Sequence, residues 1–417
     1  MRLLYNLLLT LLSPLWVPWM LMRARRRADG PDWQERTGNL PFSLPASKRR
    51  VWFHAVSVGE VVAALPILKA LRANANPPEI VLSVTTSSGH STAQSQAAEL
   101  YDRLIYFPID VPRFVLASLM RVRPNVVAVM ETELWLNFLC MAKDLGAKTL
   151  LLNGRISDRA YPRSIKVRGY YRALFQSLDQ ALVQTEVDAQ RIRDLGAREV
   201  RVLGNCKFDQ GAMVPPGARE QWRDILGLQP GERVVVIGST RGTEDEDFVL
   251  EALRSVDLTG VRIVHAPRHL EAAVQLAEKT RAQFGKVALR SKGERGPQLI
   301  LDTFGELSAA YSIADVAIIG GGFANLGGQN LIQPLAAGVP VLHGVHMQNF
   351  AEVSAMAGAA GCAHACATPA ELASMLTKWL NGPDERAELG ARASALVQAN
   401  LGASQRYAQA ILEALGS

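Results

Sequence analysis

The chain has 417 residues, 45 Lys and Arg against 39 Asp and Glu, a formal net charge of +6, and a composition 48% hydrophobic and 20% charged. That length exceeds what one ordinary core holds, so two domains are expected, and the balanced composition excludes a disordered, collagen-like or disulfide-dense chain. Of the four cysteines only Cys362 and Cys366 are close, with His364 between them and no second cluster; this argues against a structural zinc site, and no bound metal is expected.

Residues 3–22 carry no charge, a length that can just cross a bilayer. Pro14 and Pro18 interrupt a regular helix, and Trp16 and Trp19 favour the headgroup region. Arg23, Arg25, Arg26 and Arg27 follow, then Lys48, Arg49 and Arg50. Basic charge gathered beside an apolar segment is a membrane signature; charge meant for nucleic acid would run through the body of the chain. Arginine where a small-residue cleavage site belongs speaks against a signal peptide. The expectation is an uncleaved anchor over residues 1–28, either one span or a re-entrant or interfacial segment, with the rest of the chain on the cytoplasmic side.

From residue 50 to 203 short apolar runs alternate with helical periodicity. Strands are expected at 51–54, 80–85, 103–106, 126–130, 149–153, 181–184 and 200–203, and helices at 61–72, 115–123, 134–145 and 164–176. Pro215-Pro216-Gly217 and Pro230-Gly231 break the rhythm. Strands then resume at 234–238, 261–266, 287–289, 299–301, 316–319 and 339–342, before an Ala/Leu-rich helical tail from Pro369. The expected fold class is α/β: two doubly wound Rossmann-like domains, 29–212 and 233–417, joined by a linker at 213–232 and facing a cleft.

Several strand ends carry chemistry. In Val51–Glu60 an apolar run ends in Ser57-Val58-Gly59, and Glu60 stands in the first turn of the next helix. There a carboxylate is favoured by the helix dipole; it is a general-base candidate, and a plain helix cap has the same sequence signature. Glu131 and Glu133 follow the strand 126–130, as paired acids at a crevice or as ordinary helix-start acids. Lys207 lies on a loop after the last strand of the first half, where it can meet an anion or simply be solvated. In the second half, Gly238–Glu246 suits a phosphate or a capping box, and Arg268 in His265-Ala-Pro-Arg-His269 can fork onto a phosphate. The run Ile319–Asn330 has five glycines in nine residues, without a dinucleotide or Walker pattern, and suits close backbone approach to an anionic ligand. A base candidate in one α/β domain and an anion site in the other is the layout of a metal-independent nucleotide-sugar glycosyltransferase.

These residues also carry a resemblance over nearly the whole chain. His54-Ala-Val-Ser-Val-Gly-Glu60, Glu131-Thr-Glu-Leu-Trp135 with Asn137, Asn153-Gly-Arg-Ile-Ser157, Lys207-Phe-Asp209, Ser239-Thr240, Pro267-Arg-His269, Gly305-Glu-Leu307, Tyr311, Gly327-Gly328, Asn330, His346 and Asn349-Phe350 stand in the order found in 3-deoxy-D-manno-octulosonic acid (Kdo) transferases of lipid A assembly. The sequence resembles that family. The resemblance implies a GT-B-type inverting transferase that passes Kdo from CMP-Kdo to a lipid A precursor, lipid IVA, at the cytoplasmic face of a bacterial inner membrane, with no nucleic-acid partner. It implies Glu60 as the general base, Glu131 and Lys207 as transition-state stabilisers, and CMP contacts from Pro267, Arg268, Phe304, Gly305, Glu306, Asn330, Leu331, Ile332 and Gln333.

The departures fall on the nucleotide side. The family reads Ser-Thr-His-x-Gly-Glu where this chain has Ser239-Thr240-Arg241-Gly242-Thr243-Glu244, and Gly-Gly-His-Asn-Pro-Leu-Glu where it has Gly327-Gly328-Gln329-Asn330-Leu331-Ile332-Gln333. In that fold the last Glu commonly accepts from ribose hydroxyls. Replacing a charged hydrogen bond, worth about 1.5–3 kcal/mol, by a neutral one at about 0.5–1.5 kcal/mol lowers nucleotide affinity roughly tenfold. Two other readings therefore stand beside the first: a paralogous transferase with altered donor or acceptor, and a non-catalytic membrane-anchored relative, against which the three retained catalytic candidates argue.

Overall fold

The computed structural model describes residues 1–15, 18, 33–45, 49–131, 135–158, 160–210 and 215–416. Trp16, Trp19, Arg23 to Arg27, Lys48 and Glu133 lie outside the described residues. The chain forms two compact units, Met1–Gln210 with Asn400–Ser417, and Gly211–Ala399.

Unit 1 is built on a seven-stranded parallel sheet in the order β3-β2-β1-β4-β5-β6-β7. Its strands are β1 (Arg50–His54), β2 (Glu79–Val84), β3 (Arg103–Tyr106), β4 (Val126–Met130), β5 (Lys148–Gly154), β6 (Gln180–Val183) and β7 (Val200–Val202). The central strands β1 and β4 are buried at every position, as unbroken apolar runs covered on both faces must be. Trp52 on β1 packs edge-on to Phe138 and donates to Ser83 Oγ at 2.8 Å. The helix α1 (Arg2–Leu11) precedes the sheet, α2 (Val58–Arg72) follows β1, and α3 (Leu136–Asp144) follows β4.

Unit 2 repeats the plan with the order β10-β11-β9-β8-β12-β13-β14. Its strands are β8 (Arg233–Thr240), β9 (Val261–Pro267), β10 (Val287–Leu289), β11 (Gln298–Ile300), β12 (Val316–Ile319), β13 (Val341–Gly344) and β14 (Ala363–Cys366), and α4 (Thr243–Arg254) follows β8. The edge strand β14, Ala-His-Ala-Cys, escaped the sequence reading because it contains no β-branched or aromatic residue.

Three expectations change. First, the stretch 213–232 is more than a linker: from its described residues the helix Ala218–Leu226 buries Trp222 within unit 2. Secondly, the tail does not finish the second domain. Helix α5 (Ala403–Gly416) returns to unit 1, where Tyr407 and Ile411 are fully buried against Val61, Leu68 and their neighbours. The amphipathic tail can cover either sheet; the exposed face left by unit 1 is what it fits. Removing residues 400–417 is therefore expected to destabilise unit 1. Tyr407 and Ile411 alone contribute roughly 1.5–3 kcal/mol each, so the thermal midpoint should drop by about 6–20 °C, readable by calorimetry. A truncated chain melting with the intact one would refute this packing role.

Thirdly, among the described residues no helix is long and apolar enough to cross a membrane. Helix α1 is ten residues long and turns its polar side chains onto unit 1. Tyr5 donates to Asp110 Oδ2 at 3.0 Å, Asn6 and Asn137 exchange amide bonds of 3.1 and 2.7 Å, and Arg2 meets Asp144 at 2.7 Å. Burial raises the Asp110 carboxyl to about 6, although the N–H groups of Asn137 and Phe138 at the start of α3 pull the other way. The apolar side of α1 faces outward, with Leu3, Leu7 and Leu11 exposed by 87%, 54% and 66%. The described part of the expected anchor is thus a ten-residue helix with one polar and one apolar side.

Candidate active site

In an open α/β sheet the crevice lies where successive strands depart to opposite sides. In unit 1 that point is between β1 and β4, which run side by side with His54 opposite Val129. Glu60 leaves from the end of β1 and Glu131 from the end of β4. Glu60 is 9% exposed, and its Oε2 accepts from the Val56 N–H at 2.9 Å, with the Ser57 hydroxyl 3.5 Å from Oε1. The carboxylate therefore braces the turn that leads into α2, bonding an N–H one residue before the N-cap Ser57, which makes no side-chain cap bond of its own. The same bond fixes its position beside the crevice.

Glu131 has a left-handed φ of 54°, uncommon for a residue with a side chain and costing about 1–3 kcal/mol. Its N–H donates to Leu152 O at 2.8 Å, which holds the chain in that turn. Its carboxylate meets Lys207 Nζ at 3.0 Å and Arg155 Nε at 3.7 Å. Two cations thus flank the one carboxylate at the end of β4.

Lys207 is held from several sides. It sits on a 3-10 turn, Cys206–Gln210. Asn205 Oδ1 accepts from its N–H at 3.0 Å, Asn205 Nδ2 donates to Gln184 Oε1 at 3.0 Å, and Asn153 Oδ1 accepts from Cys206 N–H at 3.2 Å. Asn153, at the end of β5, again has a left-handed φ, 53°. The returning tail completes the support: Asn400 Oδ1 accepts from Asn205 N–H at 3.0 Å, and Asp209 accepts from Gly402 and Ser404 N–H groups, both at 2.7 Å, at the start of α5. His54, nearby in sequence to Glu60, takes no acid–base part. It is fully buried with Nδ1 2.9 Å from Ser83 Oγ, and burial depresses its imidazole to about 3, so it is neutral.

In unit 2 the equivalent point lies between β8 and β12. Ser239 has the third strand-end left-handed φ, 60°, and Thr240 Oγ1 lies 2.9 Å from Nε2 of the buried His265. The glycine-rich loop differs from expectation. Asp245 Oδ2 accepts from Arg241 N–H at 2.9 Å and Gly321 N–H at 2.6 Å, and Oδ1 from Phe323 at 3.1 Å and Ala324 at 3.3 Å. Three N–H groups of the loop expected to cradle a ligand anion, those of Gly321, Phe323 and Ala324, are thus already on a carboxylate of the chain itself. Several glycines answer to packing: a Cβ on Gly320 would overlap the Thr240 backbone, one on Gly344 the Gly322 backbone, and one on Gly328 the Met347 sulfur.

The remaining residues expected on the nucleotide side stand at ends of neighbouring strands or on the segment after β12. Pro267 ends β9, and the exposed Arg268 donates its N–H to Thr240 O at 2.8 Å. Phe304, beyond β11, is 90% exposed, and Gly305 has φ 86°. Glu306 is less available than expected: its carboxylate accepts from Arg290 Nη2 at 2.8 Å and from the Thr303 hydroxyl. Asn330 Oδ1 accepts from Ile332 N–H at 2.8 Å. Leu331 and Ile332 are fully buried, so only their backbone can meet a ligand, while Gln333 is half-buried. Sequence reasoning gave no role to Arg155, Asp245 or Arg290. Asp245 had a signal: it stands three residues after its helix cap Gly242, as Glu60 stands three after Ser57. Among the described residues no group of three or more His, Cys, Asp or Glu could hold a metal ion.

Two parallel α/β units with charged residues at both sheet crevices define the fold class of GT-B glycosyltransferases. Similarity to solved structures agrees at the level of fold: UDP-GlcNAc 2-epimerase from Neisseria meningitidis bound to UDP-GlcNAc superposes with a TM-score of 0.56 at 13% identity, covering 87% of this chain and 100% of that one. The family described as 3-Deoxy-D-manno-octulosonic-acid transferase (kdotransferase) matches residues 31–210. The 3-deoxy-D-manno-octulosonic acid transferase of Bordetella pertussis is 33% identical over 431 residues, covering 99% of each chain. That of Chlamydia muridarum is 32% identical over 323 residues, covering 76% of this chain and 75% of the other. The chain belongs to the Kdo transferase family, a family of glycosyltransferases.

Proposed function

We propose that this protein transfers Kdo from CMP-Kdo to lipid IVA with inversion at the anomeric carbon, at the cytoplasmic face of the bacterial inner membrane. The observation that carries the reading is that Glu60 and the Glu131–Lys207 pair leave the ends of the adjacent strands β1 and β4 at the unit 1 crevice, in a member of this family. Glu60 takes the proton of the acceptor hydroxyl as its oxygen forms the bond to the anomeric carbon, and the bond from that carbon to the cytidylate oxygen breaks with its electrons on the phosphate. Lys207 and Arg155 supply positive charge where negative charge develops, with Glu131 orienting both. Unit 1 holds the acceptor. Unit 2 holds the nucleotide through Pro267–Arg268, Phe304–Glu306 and Asn330–Gln333, the exposed Phe304 ring offering a face to the base.

The outward leucines of α1 support attachment to the membrane surface, and the basic Arg163, Lys166 and Arg168 on the helices Tyr161–Lys166 and Arg168–Phe175 suit anionic headgroups. Replacing Leu3, Leu7 and Leu11 together by Ser is expected to lower co-sedimentation with anionic vesicles at least tenfold, since each buried leucine contributes about 1.5–3 kcal/mol. Unchanged sedimentation would remove α1 from the attachment. The transfer itself is tested with purified protein, CMP-Kdo and lipid IVA, mass spectrometry counting the sugars added. No mass gain, with turnover on another CMP-sugar or acceptor, would favour the altered-substrate reading suggested by Gln329 and Gln333.

A further inference from the structure

Both units place an acidic residue at the same local position. In unit 1, Glu60 is the third residue of the helix after the first central strand, and it accepts from the N–H of Val56, one residue before the helix cap. In unit 2, Asp245 is the third residue of α4, and it accepts from the N–H of Arg241, again one residue before the cap. The strands that precede them, β1 and β8, occupy the same place in their sheets, next to the reversal of strand order. The two carboxylates then part. Glu60 takes an N–H of the turn after its own strand, whereas Asp245 also reaches across the crevice and takes Gly321, Phe323 and Ala324 N–H groups from the loop after β12.

We infer that Asp245 is a positioning residue of the donor unit, its carboxylate occupying the glycine loop as an internal anion so that the segment running on to Gln333 is held in place for the nucleotide. The inference rests on the reading of unit 2 as the donor-binding unit. One carboxylate ties the turn after β8 to the loop after β12, the two turns that flank the crevice. Gly320 is pressed on Thr240 and Asp245 so closely that it has no room for a side chain. The Gly320 N–H bond to Gly238 O at 2.9 Å closes the same seam. Further along, Gly328 N–H donates to Gly321 O at 2.8 Å, and the Gln329 side chain lies against Gly321. A shift at Gly321 therefore reaches Gln329 directly and Asn330–Gln333 through the chain. The carboxylate also excludes a nucleotide phosphate from these three N–H groups, so the donor's anionic group has to be met by other residues of the unit, with Arg268 the exposed cation at the end of β9.

The test uses the full chain with Asp245→Ala, Asp245→Asn and Asp245→Glu. Asp245→Ala removes all four acceptor bonds, and Asp245→Asn, nearly isosteric, can keep two of them and guards against simple loss of folding. Asp245→Ala is expected to raise KM for CMP-Kdo and the Kd for CMP at least tenfold, with KM for the lipid acceptor changed less than twofold. Asp245→Asn should fall between, and Asp245→Glu should restore donor KM partly if its longer arm reaches the loop. Hydrogen exchange at the Gly321, Phe323 and Ala324 amides should quicken at least tenfold in Asp245→Ala, and in Asp245→Asn at whichever of them lose their acceptor. Donor and acceptor KM rising together, amide exchange left unchanged, or amides released with donor KM untouched would each overturn the inference. Wild-type protein that binds no CMP would remove the donor reading itself, an outcome distinct from wild type and Asp245→Ala binding CMP equally well.

Discussion

Glu60→Gln is expected to lower kcat for Kdo transfer by about 10²–10⁴, the usual contribution of a positioned general base. Gln retains the shape of Glu and an oxygen for the Val56 N–H, so the turn 56–60 and the start of α2 persist. What it loses is the ability to take a proton, together with a charge at the N-terminus of α2 worth about 0.3–1 kcal/mol. For a domain of this size that is a change in thermal midpoint of only about 1–4 °C. Catalysis and stability are thus separated in one variant, and KM for CMP-Kdo should stay within about twofold. Full turnover by Glu60→Gln would leave the residue as a brace of the turn before α2 alone; a fall in turnover matched by a large loss of stability would point the same way.

Lys207→Met should damage both function and fold. The two side chains of the Lys207–Glu131 pair are 11% and 13% exposed, so the substitution strands a carboxylate in a mostly dry site with Arg155, 3.7 Å away, as the remaining cation described. Breaking one side of such a pair typically costs about 3–5 kcal/mol, which predicts a fall in thermal midpoint of roughly 6–20 °C. Turnover should fall by about 10²–10³, the scale seen when one preorganised group facing developing charge is removed. The double variant Glu131→Gln/Lys207→Met separates the two effects. Without the stranded charge it should regain much of the stability, yet remain inactive. A double variant that recovers turnover along with stability would show that the pair only holds the fold together.

How much of this was legible beforehand follows from what local sequence encodes. The runs at 51–54 and 126–130 read as central strands because a strand covered on both faces must be apolar throughout, and β1 and β4 are buried at every position. The strand ends were legible too, so Glu60, Glu131 and Lys207 could be named as residues facing a crevice. Whether Glu60 caps or catalyses was not, because both roles ask for a carboxylate at the same turn. The structure shows the carboxylate bracing the turn before α2, and the Glu60→Gln kinetics test its part in proton transfer.

Other features depend on parts of the chain that sequence periodicity does not connect. The pairing of Glu131 with Lys207 arises because β4, β5 and β6 lie side by side and the loop after β7 folds back over their ends. The tail was read as the end of the second domain, since helical periodicity records that one face is buried and says nothing of what buries it; the open face of unit 1 chose α5. Residues 1–28 were read as an anchor, either a span or a re-entrant or interfacial segment, and the long-range bonds from Tyr5 and Asn6 that give α1 a protein side leave no trace in local sequence. The glycine loop shows the difference most clearly. Its composition determined that its backbone could crowd against an anion, and the sequence by itself went no further. That the anion is Asp245 was decided by tertiary structure, because only the adjacency of β8 and β12 brings a carboxylate at the start of α4 within 2.6 Å of the Gly321 N–H.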